Sequence, residues 1–180
     1  MHTLPDRQAW DLLLREEYPS WLYPVKQGAT TIWERWNSYT LATGFGDVGM
    51  NSFNHYAYGC ICGWMYRYMA GIDTAEPGFT HILLRPQPDL RTDDELPAGQ
   101  TRITHVNAAF DAPTGRIETA WSTEEGDLRF TAVVPVPATL HLPLCGKSDY
   151  TVNGETQTAA VIENNCAIIE LAPGRYEFIV

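Results

Sequence analysis

"NSFNHYAYGCICGWMYRYMAG", residues 51–71, carries the clearest periodic signal in the chain. Phe53, Tyr56, Ala57, Cys60, Ile61, Trp64, Met65, Tyr68 and Met69 recur at i, i+3, i+4 and i+7, which predicts a helix. Asn51 or Ser52 can cap its start, and Gly71 is placed to end it. The opposite face holds Asn54, His55, Tyr58, Gly59, Cys62, Gly63 and Arg67. The two glycines, one helical turn apart, let a neighbour approach closely on that side. A helix with two such faces is expected to lie between other helices.

Upstream, "PDRQAWDLLLREE" (5–17) predicts a second helix. Pro5 and Asp6 fall in its first turn, Trp10, Leu13 and Leu14 follow at helical spacing, and it should stop before Pro19. Between Tyr23 and Met50, Gly28, Gly44, Gly46 and Gly49 mark a long ordered loop, a length that in small domains often has a function. Two helices and a loop do not cover a two-faced helix. A second copy, or a region upstream of these residues, is expected to do so.

Downstream the period changes near residue 80. "HILLRPQP" (81–88) opens the second part, and the acidic "DLRTDDELPAGQ" (89–100) follows. Short alternating runs then recur at 101–110, 116–122, 128–134, 139–142, 150–152, 167–171 and 175–180. The turns between them include "PTGR", "EEGD", "VNGE" and "APGR". Many short strands at such spacing predict an antiparallel sandwich. The expected class is α+β: a helical part over 1–80 and a β-sandwich over 81–180.

Bulk properties narrow the partners. The 180 residues are 44% hydrophobic and 19% charged, with a net charge of −10. Twelve Lys and Arg scattered among twenty-two Asp and Glu disfavour nucleic acid and anionic membrane surfaces. No apolar run reaches the ~20 residues of a membrane span. The start, "MHTLPDRQAW", lacks the basic and apolar regions of a secretory signal. Cys60, Cys62, Cys145 and Cys166 show no metal-binding spacing and are expected to be reduced and mostly buried. A cytoplasmic location, no metal and no cofactor are the corresponding expectations.

The chemistry centres on "GATTIWERW" (28–36) and "GMNSFNHYAY" (49–58). In an extended chain Thr30, Ile32, Glu34 and Trp36 share one face, and Thr31, Trp33 and Arg35 the other. Apolar walls beside Glu34 would suit a carboxylate that activates water near neutral pH. Indole faces also stack on the C–H patches of sugar rings. The alternative is that Glu34 pairs with Arg35 or another base and the tryptophans are core; residue types alone favour it. His55 at the start of a helix would be a neutral imidazole able to bond hydroxyls. Its alternative is a histidine bonded within the core, which type alone again favours. The acidic turn at Asp93, Asp94 and Glu95 lacks the spacing of a calcium loop and reads as solvated. Asp47 reads as a turn residue, and His81, His105 and His141 as structural.

Five ordered motifs, "EYPSW", "GATTIWERW", "GMNSFNHYAYG", "WMYRYMAGI" and "PGFTHILLRPQP", together resemble the C-terminal end of bacterial α-L-rhamnosidases, inverting glycoside hydrolases. The resemblance runs from about residue 6 to residue 88 and continues more loosely through "APTGRI" to the end. It implies the last hairpins of a six-hairpin (α/α) barrel followed by a β-sandwich. It places the water-activating general base on Glu34 and a rhamnose-binding role on His55, with Trp33 and Trp36 beside the substrate. The implied partners are rhamnose-containing glycans or glycosides. The family's general acid lies in an upstream part of the barrel with no counterpart in these 180 residues, so a fragment of a longer enzyme is expected. A noncatalytic sugar-binding module, or a remnant that self-associates through its barrel helices, is the alternative.

Overall fold

Residues 6–124 and 126–180 are described by the computed structural model. Pro5, expected in the first helical turn, lies outside them. Contacts divide the chain into two units. One comprises the residues up to Gly63 together with Arg91–Arg102, the other Trp64–Leu90 together with Ile103–Val180.

In the first unit, α1 (Asp6–Leu14) buries Trp10 and Leu13. The helix ends at Leu14, earlier than the proline alone would require. The segment 91–102 is fastened to it by ion pairs. Arg7 meets Glu95 at 2.9 Å and the nearly buried Arg91 meets Asp11. The stretch expected to be one long loop contains a short helix and a small hairpin. α2 (Leu22–Lys26) is followed by β1 (Tyr39–Thr40) paired antiparallel with β2 (Gly44–Phe45).

The helix expected over 51–71 is shorter and irregular. It opens as a 3₁₀ turn over Tyr56–Cys60, becomes α3 (Ile61–Trp64) and closes as a π turn over Met65–Met69. Residues 51–55 stay outside it because their backbone is committed elsewhere: Ser52 and His55 bond to the stretch 32–34. Gly59 and Gly63 also weaken a regular helix. Among the described residues, nothing beyond their own helix and chain neighbours lies within 4 Å of where a Cβ on either glycine would sit.

In the second unit, period-2 alternation builds two sheets. β3 (Ile72–Thr74) and β4 (Ile82–Leu84) come first, then β5 (His105–Ala112), β6 (Gly115–Ser122), β7 (Arg129–Val134) and β8 (Ala138–Pro143). β9 (Asp149–Val152), β10 (Glu155–Thr158), β11 (Ile162–Glu163), β12 (Cys166–Leu171) and β13 (Gly174–Ile179) complete them. The orders are β10-β9-β13-β7-β6-β5 and β11-β12-β8-β4-β3. Among the described residues every pairing is antiparallel except β4 with β8, which is parallel. Alternate residues form the core: Ile117 and Trp121 of β6, Phe130 and Val134 of β7, Leu140 and Leu142 of β8, with Phe178 of β13. This is the expected sandwich pattern.

Turn chemistry sets the registers. Asn153 and Gly154, both at positive φ, close the two-residue loop between β9 and β10, as a type I′ turn requires. Asn164 and Asn165 do the same between β11 and β12. Two polar bonds fix the end of the helical stretch to β6. The Trp121 indole N–H donates to the Met69 carbonyl at 2.7 Å, and the buried Thr119 hydroxyl donates to the Ala70 carbonyl at 2.9 Å.

Gly71 follows at φ +79, and a Cβ there would stand 2.3 Å from the Pro86 nitrogen. A side chain at this φ costs about 1–2 kcal/mol before any clash. Gly71→Ala is therefore expected to destabilise the protein by more than about 2 kcal/mol in a denaturant titration, since the backbone of Pro86 cannot yield as a side chain can. A loss under about 0.5 kcal/mol, the level of a neutral surface change, would contradict this account.

Candidate active site

Residues 31–34 run beside residues 52–55. The Thr31 hydroxyl donates to the Phe53 carbonyl, and the His55 N–H donates to the Ile32 carbonyl at 2.9 Å. The Glu34 N–H donates to the Ser52 carbonyl at 2.9 Å, and the Ser52 N–H returns the bond to Glu34 Oε2 at 2.8 Å. Main chain and side chain of one glutamate are thus both held by one serine. A backbone N–H on a carboxylate is a charge-assisted bond, stronger than a neutral one.

Glu34 is half-buried, and among the described residues it makes no ion pair, with Arg35 or any other base. The pairing alternative raised by residue types is absent from this geometry. A carboxylate with one oxygen fixed and no counter-ion keeps acceptor capacity for a water or hydroxyl.

The two tryptophans beside it part company, because Trp36 lies in the turn that follows Glu34. Trp33 is 7% exposed and packs edge-on against Tyr39 and Phe53, with ring centres 6.4 and 5.4 Å away. Phe53 and Tyr39 both meet Phe45 on the β1–β2 hairpin. Trp36 instead stacks on Tyr58 at 3.8 Å with planes 13° apart, and meets Trp21 edge-on at 5.4 Å. Trp21 donates its indole N–H to the Tyr58 carbonyl at 2.9 Å. Trp21, Pro24, Val25, Ile32, Trp36 and Tyr58 line an apolar pocket there.

His55 is exposed, so the core alternative fails for it. It sits one position ahead of the first helical turn, in extended conformation, and is the N-cap itself: Nδ1 accepts the Ala57 N–H at 3.4 Å. Asn51 and Ser52, the expected caps, act elsewhere. Asn51 Nδ2 donates to the Ser38 carbonyl at 3.0 Å, and Ser52 holds Glu34. With Nδ1 accepting, a neutral ring carries its proton on Nε2 and can donate it to a hydroxyl.

Other candidates have structural work. Thr92 N–H and hydroxyl both donate to the Glu95 carboxylate, at 3.0 and 3.1 Å, and these bonds hold its pKa below the usual range. Among the described residues no group of three His, Cys, Asp or Glu is arranged to hold a metal. Asp47 accepts the Gly49 N–H at 2.8 Å, a local turn. His81 lies 2.8 Å from the Thr139 hydroxyl and His105 lies 3.2 Å from Glu124. The cysteines correct an expectation, because Cys60, Cys62 and Cys145 are exposed and Cys166 is half-buried. Among the described residues no helix is long and apolar enough to cross a membrane.

Trp21, Ser38, Asn51, Ser52 and Tyr58 were not singled out as site residues by sequence. For Asn51 and Ser52 the signal was misassigned: both sit where a helix cap is expected, and both serve the loop that carries Glu34 instead.

Two family models match the chain. The bacterial alpha-L-rhamnosidase 6 hairpin glycosidase domain matches residues 4–69, and the bacterial alpha-L-rhamnosidase C-terminal domain matches residues 71–159. An α-L-rhamnosidase of Formosa agariphila is 37% identical over 94% of this chain and 18% of its own length. One from Streptomyces avermitilis is 34% identical over 96% of this chain and 16% of its own. The crystal structure of a Streptomyces avermitilis α-L-rhamnosidase complexed with L-rhamnose superposes with a TM-score of 0.80 at 33% identity, covering 94% of this chain and 15% of that one. That of the Dictyoglumus thermophilum enzyme gives 0.78 at 28% identity, over 97% and 18%. The chain thus spans less than a fifth of the length of these relatives. Its two matched regions adjoin, and the chain belongs to the bacterial α-L-rhamnosidase family, corresponding to its C-terminal portion.

Proposed function

We propose that this chain carries the water-activating half of an inverting α-L-rhamnosidase active site. Glu34 is the general base, His55 donates from Nε2 to a rhamnose hydroxyl, and Trp36 lies beside the sugar. Trp33 supports the site from the buried side. The observation that carries this reading is the Glu34 carboxylate, half-buried, fixed by the Ser52 amide and without a counter-ion among the described residues. Inversion needs a second carboxyl about 6.5–9.5 Å away, with a water held by the base on the far side of the sugar ring. That acid is assigned to another part of the six-hairpin domain. Glu34 takes the proton from the attacking water as the water oxygen bonds to the anomeric carbon, while the glycosidic C–O bond breaks and the acid protonates the departing oxygen.

Binding is measurable apart from turnover. Titration calorimetry with L-rhamnose is expected to show saturable heat for the intact chain. His55→Ala should weaken the affinity about tenfold, the worth of one hydrogen bond of about 1.4 kcal/mol. Equal affinity in the two proteins would remove His55 from the site.

A second reading, self-association, is favoured by the apolar side chains that the first unit leaves open. Leu41 is 78% exposed, Phe45 73%, Val48 99% and Tyr56 87%. Exposure on that scale in neighbouring segments is typical of interaction surfaces. Sedimentation equilibrium is expected to show reversible association, weakened by Val48→Ser. A single monomeric species at every concentration would exclude it.

A further inference from the structure

We infer that Asn51 is a positioning residue for Glu34, acting through Ser38 and Ser52. The inference rests on the reading of Glu34 as the general base. The segment after Glu34 turns back at once: the Ser38 N–H donates to the Arg35 carbonyl at 3.1 Å, and the Arg35 N–H donates to the Ser38 hydroxyl at 3.2 Å. Ser38 is 1% exposed, so this turn is locked in the interior. Its carbonyl takes two donors from elsewhere in the loop, the Gly46 N–H at 2.8 Å and Asn51 Nδ2 at 3.0 Å. Asn51 immediately precedes Ser52, whose N–H holds the Glu34 carboxylate.

A closed circuit results. Glu34 leads through the 35–38 turn to the Ser38 carbonyl, across to Asn51, and through Ser52 back to Glu34. The carboxylate and the amide that holds it are fixed to the same buried residue, so neither drifts without the other. Gly46 completes the fit. A Cβ there would lie 3.3 Å from Asn51 Nδ2 and 3.4 Å from the Ser38 carbonyl. Asn51 Oδ1 is buried and has no hydrogen-bond partner among the described residues. The Asn51 nitrogen holds the circuit.

The Ser52 amide proton reports on this device directly, because its resonance must follow the ionisation of the carboxylate it touches. In proton–nitrogen spectra of the intact chain, the Ser52 amide is expected to shift on acidification and to lose that shift in Glu34→Gln. In Asn51→Ala the shift should fall about twofold or more as the charge-assisted bond loosens, while the resonances of the sandwich strands stay in place. Should Asn51→Ala not fold, Asn51→Ser, too short to reach the Ser38 carbonyl, is read the same way. A Ser52 shift of wild-type size in the folded variant would overturn the proposal, as would a wild-type Ser52 amide that ignores Glu34. Failure of Glu34 as the base appears in catalysis, and failure of this circuit appears only in the Ser52 signal.

Discussion

Four hydrogen bonds between residues 31–34 and 52–55 organise the part of the molecule that holds the proposed site. They draw together two stretches some twenty residues apart in sequence. They keep 51–55 out of the helix that the apolar periodicity would extend over them, and they orient Glu34 by holding both its amide and its carboxylate on Ser52. The helix can begin only at Tyr56, and His55, left at its edge, becomes the cap and presents its ring to solvent. The two tryptophans then pack apart, with Trp33 turned inward to Tyr39 and Phe53, and Trp36, in the following turn, against Tyr58 and Trp21.

The sandwich was the most legible part of the sequence, because its signals are local. Alternation marks β6, β7 and β8, whose buried positions fall on every second residue, and Asn153–Gly154 announces its own turn. Other elements carry no such signal. β10 is exposed along its whole length and carries no apolar alternation. The Asn164–Asn165 turn lacks glycine, and its strand β11 is only two residues long. The parallel pairing of β4 with β8 joins segments more than fifty residues apart, a choice made by packing and not by any short pattern.

The site was legible in part. Glu34 and His55 were singled out by the company they keep and given roles by resemblance. Their geometry could not be read that way, since it depends on Ser38, Asn51 and Ser52. Those residues appear in sequence as ordinary turn and cap formers. Periodicity overstates the helix for the same reason: it counts apolar side chains and is blind to backbone amides already engaged by a neighbouring segment.

The central claim is that Glu34 is the base that activates water. It is tested most directly by exchanging this chain for the corresponding stretch of the Streptomyces avermitilis α-L-rhamnosidase, to which it is 34% identical. The hybrid is then assayed on an aryl α-L-rhamnoside with and without Glu34→Gln. The account predicts that the hybrid turns over substrate and that the substitution lowers kcat about 10²–10⁴-fold, the contribution of a general base, while KM is nearly unchanged. A folded Glu34→Gln hybrid with the kcat of its parent would contradict it.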